Sequence, residues 1–349
     1  MMLCAYIMAG GSGERFWPLS TPEKPKQLLK LFSDQSMIRE TVERILPLIP
    51  AEYIFIGTNI KQAKGIIEEL PMIPEENIVI EPAFKDTAAA IGYGAMYIKH
   101  RVEDACMVVL ASDHLIQKPE VFRNMIQKAA HEAQTNHTLV TLGIKPSFPE
   151  TGYGYIEVAD TTELGVVYPV ERFWEKPNKE RAEAYVASGK FLWNSGMFVF
   201  ETSTILEEIE RFMPKHYGTL SEINEKIEMG FDKEELAKET ASYFEQFEKI
   251  SIDFGIMERS IRIRVIPSEF GWNDIGSFSA LCEVFPADEQ GNVIRHSKVR
   301  MLDAKENVVV TSDYEVGLIG VSNLVVIQTN GKLLVCHKDR AQDIKKILV

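Results

Sequence analysis

The sequence predicts an α/β protein: a Rossmann-like, mostly parallel sheet flanked by helices, followed by a small C-terminal β appendage. Three observations predict it. Short, wholly apolar runs alternate with amphipathic helical stretches through the first half of the chain, the pattern of strands buried on both faces. A glycine turn, Gly10-Gly11-Ser12-Gly13, directly follows the first run. After about Pro286 the pattern changes to closely spaced β-branched runs. The expected division is 1–285 for the α/β part and 286–349 for the appendage.

Leu3 to Met8 is an apolar run that ends in glycines, so it reads as strand then turn. Tyr53 to Gly57 and Asn77 to Ile80 are the next buried strands. Asp86 to Val102 reads as a helix, with Ala88, Ile91, Ala95, Ile98 and Val102 at helical spacing. Cys106 to Leu110 is a fourth strand, Pro119 to Gln134 a helix, and Thr138 to Leu142 a fifth strand. Tyr153 to Val158, Val167 to Trp174 and Met197 to Phe200 read as further strands. Ser221 to Ile250, mixed in charge and mainly acidic, reads as a solvated helical layer. In the appendage, strands are expected at 299–302, 308–311, 316–319, 324–328 and 333–337. Thr329-Asn330-Gly331-Lys332 is a hairpin turn, and Asp339 to Leu348 a short amphipathic helix. No fixed-period tandem repeat is visible.

Composition bounds the function. The chain has 349 residues, 45% of them hydrophobic and 26% charged, enough to bury a large core without metals or disulfides. Its formal net charge of −13 is the wrong sign for nucleic-acid binding through the overall field. The four cysteines, at 4, 106, 282 and 336, have no zinc spacing and read as reduced, mostly buried thiols. The opening stretch lacks a basic segment and a long apolar run, and the longest uncharged stretch, 316–331, is broken by polar residues. Neither a secretory leader nor a membrane span is expected, which suggests a cytoplasmic protein.

The glycine turn fails two familiar phosphate motifs. No Gly-Lys-Ser/Thr is present for a P-loop, and Phe16 stands where a dinucleotide fingerprint needs its third glycine. The physics of a phosphate cradle survives. Glycines let backbone N–H groups approach an anion, and Arg15 offers a planar fork. Lys24, Lys26 and Lys30 make the segment locally positive in an acidic chain. On these residues alone, a glycine turn with solvated lysines is the alternative.

The longer pattern decides more. GGSGERFWPLS with the following PKQ resembles the signature of the sugar-1-phosphate nucleotidylyltransferases, and its Phe-Trp-Pro-Leu-Ser continuation resembles their mannose branch. Further blocks follow in the family's order: Glu81-Pro82 with Asp86-Thr87-Ala88; Ala111-Ser112-Asp113-His114; Thr151 to Ile156; Phe173-Trp174-Glu175-Lys176-Pro177; Trp193 to Phe198; Ser251-Ile252-Asp253; and Gly271 to Gly276. Lys85-Asp86 departs from the family's common Arg-Asn.

The resemblance implies transfer of GMP from GTP to α-D-mannose 1-phosphate, giving GDP-mannose and pyrophosphate. The same reaction on another sugar, such as heptose 1-phosphate, and a silent sugar-nucleotide-binding subunit are the alternatives. It also implies that the appendage is part of a left-handed β-helix and that the protein is a homodimer. The sugar phosphate is already anionic at neutral pH, so no general base is required. Bringing anions together and stabilising the leaving pyrophosphate is the harder task.

By the same resemblance, Arg15, Lys26, Asp113 and Asp274 are the catalytic group. Asp113 and Asp274 would hold Mg²⁺, a cation that suits carboxylate, phosphate and water oxygens. Read by themselves, Asp113 could instead cap a following turn or helix, and Asp274 could form an Asx-type turn. Gly10, Gly11, Ser12, Gly13, Glu14, Arg15, Lys26, Asp86, Thr87 and Asp113 would bind the nucleotide. Asp86 could accept from the N1–H and N2–H₂ donors of guanine, and Asp86-Thr87 also reads as the start of a helix. Gly154, Glu175, Lys176 and Asn194 would bind the sugar phosphate; Glu175-Lys176 alone could be a solvated pair.

Overall fold

The computed structural model describes every residue except 1, 104, 160–162, 296–297, 313 and 349. Its strands are β1 (Leu3–Met8), β2 (Ile54–Asn59), β3 (Ile78–Glu81), β4 (Cys106–Ala111), β5 (Leu115–Ile116), β6 (Leu139–Ile144), β7 (Gly154–Glu157), β8 (Tyr168–Pro169) and β9 (Arg172–Glu175). They continue as β10 (Phe191–Glu201), β11 (Ile263–Ser268), β12 (Trp272–Asn273), β13 (Val293–Arg295), β14 (Lys298–Leu302), β15 (Val308–Thr311), β16 (Glu315–Ile319), β17 (Leu324–Thr329) and β18 (Lys332–His337). The main helices are α1 (Met37–Ile45), α2 (Ile60–Glu69), α3 (Asp86–Arg101), α4 (Pro119–Asn136), α5 (Lys179–Ser188), α6 (Thr202–Phe212), α7 (Pro214–Glu228) and α8 (Lys233–Phe244).

The chain divides into two compact units. The first comprises Met1–Gly10, Arg39–Ser112 and Ile116–Trp272. Its sheet runs β3-β2-β1-β4-β10-β6-β11-β8. β1 is apolar throughout because both faces are covered: Cys4, Ala5, Tyr6 and Ile7 are fully buried. It pairs in parallel with β2 and β4, β2 pairs in parallel with β3, and β6 with β11. β10 runs against both β4 and β6. β7 joins the sheet through β10 and carries β9 as its antiparallel partner. The Ala-rich α3 is buried from Ala88 to Ile98, where small side chains let it lie close to its neighbours.

Several sequence expectations change in detail. The expected 167–174 strand is two short strands, β8 and β9. The expected 197–200 strand belongs to the longer β10, whose register shifts between Asn194 and Phe198 at a bulge. The acidic 221–250 layer holds α8 and the second half of α7, parted by Gly230 with φ +75°. Asp232 caps α8 by accepting from the Glu234 and Glu235 N–H groups. The buried thiols Cys4 and Cys106 are free, and burial pushes each up to about 12.

The second unit comprises Gly11–Ile38, Asp113–Leu115 and Asn273–Val349. Its core combines Phe16, Leu29, Leu31 and Met37 from the glycine-loop segment, Ile275 and Phe278, and Val308, Val325, Ile327, Ala341 and Ile344 from the appendage. The loop and the appendage share one apolar cluster, and burial, not chain order, groups them.

The appendage is β-helix-like. β13, β15 and β17 stack in parallel with Val293, Val308 and Val325 in register, and β14 stacks on β16. Successive rungs are fifteen and then seventeen residues apart, which is why no fixed period shows in the sequence. A buried asparagine ladder ties the turns. Asn292 Oδ1 accepts from the Asn307 backbone and side-chain amides at 3.0 and 2.9 Å, and Asn307 Oδ1 accepts from Leu324 N. The 329–332 hairpin forms as expected, with Asn330 and Gly331 at φ +48° and +73°. The final segment, Lys338–Ile347, is a 3₁₀-helix, not an α-helix. Its buried residues, Ala341 and Ile344, are three apart and eclipse on one side only at three residues per turn.

Candidate active site

In the second unit the glycine loop is a fixed scaffold around Lys26. Gly13 has φ +64°, and a Cβ there would lie 2.5 Å from the Lys26 backbone nitrogen, so only glycine fits. Gly13 O accepts from Phe16 N and, at 2.7 Å, from Ser20 Oγ. Gln27 Nε2 donates to Gly11 O at 3.2 Å. Gly11 itself is different: a Cβ there would meet nothing within 4 Å. Internal packing does not require that glycine. Gly10, which belongs to the first unit, has the same open space. Ser12, Glu14 and Arg15 are exposed. The Arg15 guanidinium has no hydrogen-bond or ion-pair partner among the described residues.

Lys26 is buried, with 6% of its surface exposed. Its ammonium lies 2.8 Å from Asp113 Oδ2 and donates to Asp274 O at 2.9 Å. Phe16 lies beneath it, 5.3 Å from the ammonium to the ring centre. The tertiary structure thus brings together Lys26, Asp113 and Asp274. Burial works to raise the Asp113 carboxyl, but Lys26, His114 and hydrogen bonds outweigh it and hold it below the usual carboxylate range. Asp274 occupies a tight turn in which its Oδ1 accepts from Gly276 N at 3.1 Å. Ile275 has φ +47° there, and its N–H donates to Asn273 Oδ1. The donor set fits a hard divalent cation. Two carboxylates with substrate phosphates and water are what Mg²⁺ takes, without a full protein cage. No group of three or more His, Cys, Asp or Glu side chains suited to a metal occurs among the described residues.

A second cluster is built in the first unit on β7, β9 and the β10 bulge. Gly154 faces Glu175 across the β7–β9 pair. A Cβ on Gly154 would lie 2.6 Å from Glu175 Oε2, so the carboxylate occupies the space that a side chain there would enter. Lys176, at φ +49°, donates to Glu175 Oε1 at 2.6 Å. Burial works to lower the Lys176 ammonium. Its hydrogen bond to Glu175, with the charges of Glu175, Asp253 and Asp86, more than reverses that and raises it. Asn194 is buried; its Oδ1 accepts from Thr141 Oγ1 and Gly196 N, and its Nδ2 donates to Asp253 Oδ1. Tyr153, Trp193 and Trp272 form edge-to-face aromatic contacts beside these strands.

Asp86 starts α3 at φ +68°, with its Oδ1 accepting from Thr87 N at 2.8 Å. The Thr87 hydroxyl accepts from Ile252 N at 2.8 Å, which ties the start of α3 to the segment before Asp253. The structure therefore sets Asp86 within electrostatic reach of Lys176.

Comparison with known proteins matches this geometry to a family. The profile described as nucleotidyl transferase matches residues 4–291. This chain belongs to the nucleotidyl transferase family. A second profile, the MannoseP isomerase/GMP-like beta-helix domain, matches residues 297–349. Among characterised relatives of this nucleotidyl transferase, a mannose-1-phosphate guanylyltransferase of Klebsiella pneumoniae is 40% identical over 99% of this chain and 73% of its own length. One of Escherichia coli is 39% identical over the same shares. A Thermus thermophilus structure described as mannose-1-phosphate geranyltransferase superposes with a TM-score of 0.88, at 32% identity, covering 100% of this chain and 98% of that one.

Sequence reasoning gave no role to Asp253, Thr141 or Glu258. Asp253 stood in the Ser251-Ile252-Asp253 block, the one signal that could have marked it. Thr141 lies inside an apolar strand, and the Glu258 carboxylate reaches Glu175 N from a distant segment. Neither has a local sequence pattern.

Proposed function

We propose that this enzyme transfers GMP from GTP to α-D-mannose 1-phosphate, releasing pyrophosphate and GDP-mannose. The observation that carries the reaction type is the buried Lys26 ammonium held between Asp113 Oδ2 and Asp274 O in an open glycine loop. A buried, prearranged positive charge of this kind supports phosphate handling there. The mannose and guanine assignments follow the names of relatives matched over 99% of this chain and 73% of their own length.

In this reading Arg15 and the loop amides bind the β- and γ-phosphates, and Lys26 neutralises charge as it develops at the α-phosphate. Asp113 and Asp274 would hold Mg²⁺, which supplies Lewis-acid stabilisation of the transferring phosphate when bound. Lys176 holds the sugar phosphate, while Glu175 and Asn194 bind hydroxyls of the ring. The sugar phosphate oxygen attacks the α-phosphorus in line and needs no base, since it is already ionised at neutral pH.

The test follows pyrophosphate release from purified protein with Mg²⁺, GTP and mannose 1-phosphate. Parallel reactions substitute ATP, UTP or dTTP, and glucose or heptose 1-phosphate. Release that needs GTP and mannose 1-phosphate together is expected. A different preferred pair changes the substrates and keeps the chemistry. No release with any pair overturns the reading.

A further inference from the structure

The second cluster contains a carboxyl to which the proposed chemistry gives no task. Asp253 opens a π-helical turn, Asp253–Met257, a local departure from α geometry that recurs at functional sites. The preceding residues are anchored to α3 by the Thr87 hydroxyl and by Ala88 N, which donates to Ile250 O at 3.2 Å. Asp253 Oδ1 then accepts from Asn194 Nδ2 at 3.0 Å. The other end of that amide is also committed, to Thr141 Oγ1 at 3.0 Å and Gly196 N at 3.2 Å. An asparagine specified at both ends has one flip state, and here it keeps a single N–H to offer a ligand.

We propose that Asp253 is a positioning residue of the sugar-phosphate site: it fixes the Asn194 amide so that its remaining N–H meets a hydroxyl of the hexose ring, and it sets the charge beside which Lys176 binds the phosphate. The inference rests on the function proposed above and adds a residue to it. Glu175 and Lys176 face Asp253 from the end of β9, Asp86 faces Lys176 from the start of α3, and Glu258 accepts from Glu175 N. Three carboxyls thus surround one ammonium. Burial first, and then the Glu175 charge, hold the Asp253 carboxyl well above the usual carboxylate range. While Asp253 carries its proton, an incoming phosphate meets one negative charge fewer beside Lys176. Once it ionises, the added negative charge opposes the phosphate. The KM for sugar phosphate therefore rises as pH passes upward through neutrality, while the KM for GTP does not follow it.

The experiment measures both KM values for the wild-type enzyme, Asp253→Ala and Asp253→Asn, between about pH 6 and about pH 9. Asp253→Ala is expected to raise the KM for mannose 1-phosphate by about tenfold or more, leaving the KM for GTP within about twofold. Asp253→Asn keeps an oxygen for the Asn194 N–H. It is expected to recover most of that loss near neutral pH and to flatten the alkaline rise. A folded Asp253→Ala enzyme with an unchanged sugar-phosphate KM would overturn the proposal, as would equal changes in both KM values. If Asp253→Ala does not fold, the Asp253→Asn profile decides alone, and an alkaline rise equal to wild type rejects the proposal. Failure of the functional reading shows instead in the wild-type reactions. If another sugar phosphate is the substrate, the same variant-to-wild-type ratios are taken with it.

Discussion

Lys26 is expensive to bury unless its charge is met, and Asp113 Oδ2 and Asp274 O meet it at 2.8 and 2.9 Å. Lys26→Ala removes the ammonium from the place where charge develops. We expect kcat to fall by about 10²–10³-fold with a smaller change in the KM for GTP, read from steady-state kinetics. Asp86 acts on the charge of Lys176, and the proposed function would also give it the guanine edge. Asp86→Asn is expected to erode the preference for GTP over ITP, which lacks the 2-amino group. An unchanged preference with an altered sugar-phosphate KM would assign Asp86 to Lys176 alone. Glu81 makes a stability prediction. Buried, with the Tyr6 hydroxyl at 3.5 Å, its carboxyl is raised to about 8, chiefly by desolvation. A raised carboxyl favours folding while protonated and loses that contribution as pH climbs from about 4.5 through about 8. Glu81→Gln should therefore gain stability relative to wild type on going from about pH 5 to about pH 8.5, by up to a few kcal/mol in denaturant melts. These residues differ in legibility. Lys26, Asp113 and Asp274 sit in recognisable motifs, whereas the cost of burying Glu81 depends on what covers it.

At the scale of elements, the appendage shares its core with the glycine-loop segment. Ile344 lies in the same apolar cluster as Phe16 and Phe278, and Phe16 lies beneath Lys26. Ile344→Ala is expected to cost about 2–4 kcal/mol in stability. It should also lower kcat, although Ile344 touches no proposed ligand. Loss of stability with kcat unchanged would limit the appendage to holding the fold. The apolar strands and helices of the first unit were legible because their periodicity is strong: β1, β4, α3 and α4 lie close to their expected bounds. The full length of β10 was not, because Asn194-Ser195-Gly196 interrupts its apolar pattern at the bulge. The rungs of the appendage were legible as strands and illegible as a stack, since their spacing varies and the Asn292–Asn307 ladder is a contact between turns.

At the scale of the whole molecule, no helix among the described residues is long and apolar enough to cross a membrane, and the chain carries a net charge of −13. An acidic protein that binds polyanionic substrates must collect its positive charge locally. Arg15 and Lys26 in one unit and Lys176 in the other are the cations to which the proposed function gives that task. Asp113 is already balanced by Lys26, so a divalent ion is not required to hold that part of the fold. Chelation with EDTA is expected to abolish pyrophosphate release and to move the melting temperature by less than about 2 °C; a larger shift would mean that the ion is structural.

Sequence alone determined the α/β class and the family resemblance. Those features live in short motifs and in hydrophobic periodicity, which a linear chain displays directly. Tertiary structure decided that the loop and the appendage form one core, that the Lys26 ammonium is held between Asp113 and Asp274 O, and that Asp253 accepts a hydrogen bond from Asn194. Each of these depends on burial and on contacts between residues far apart in the chain. Burial fixes the cost of a charge, and proximity fixes whether that charge has a partner; neither is written in local order.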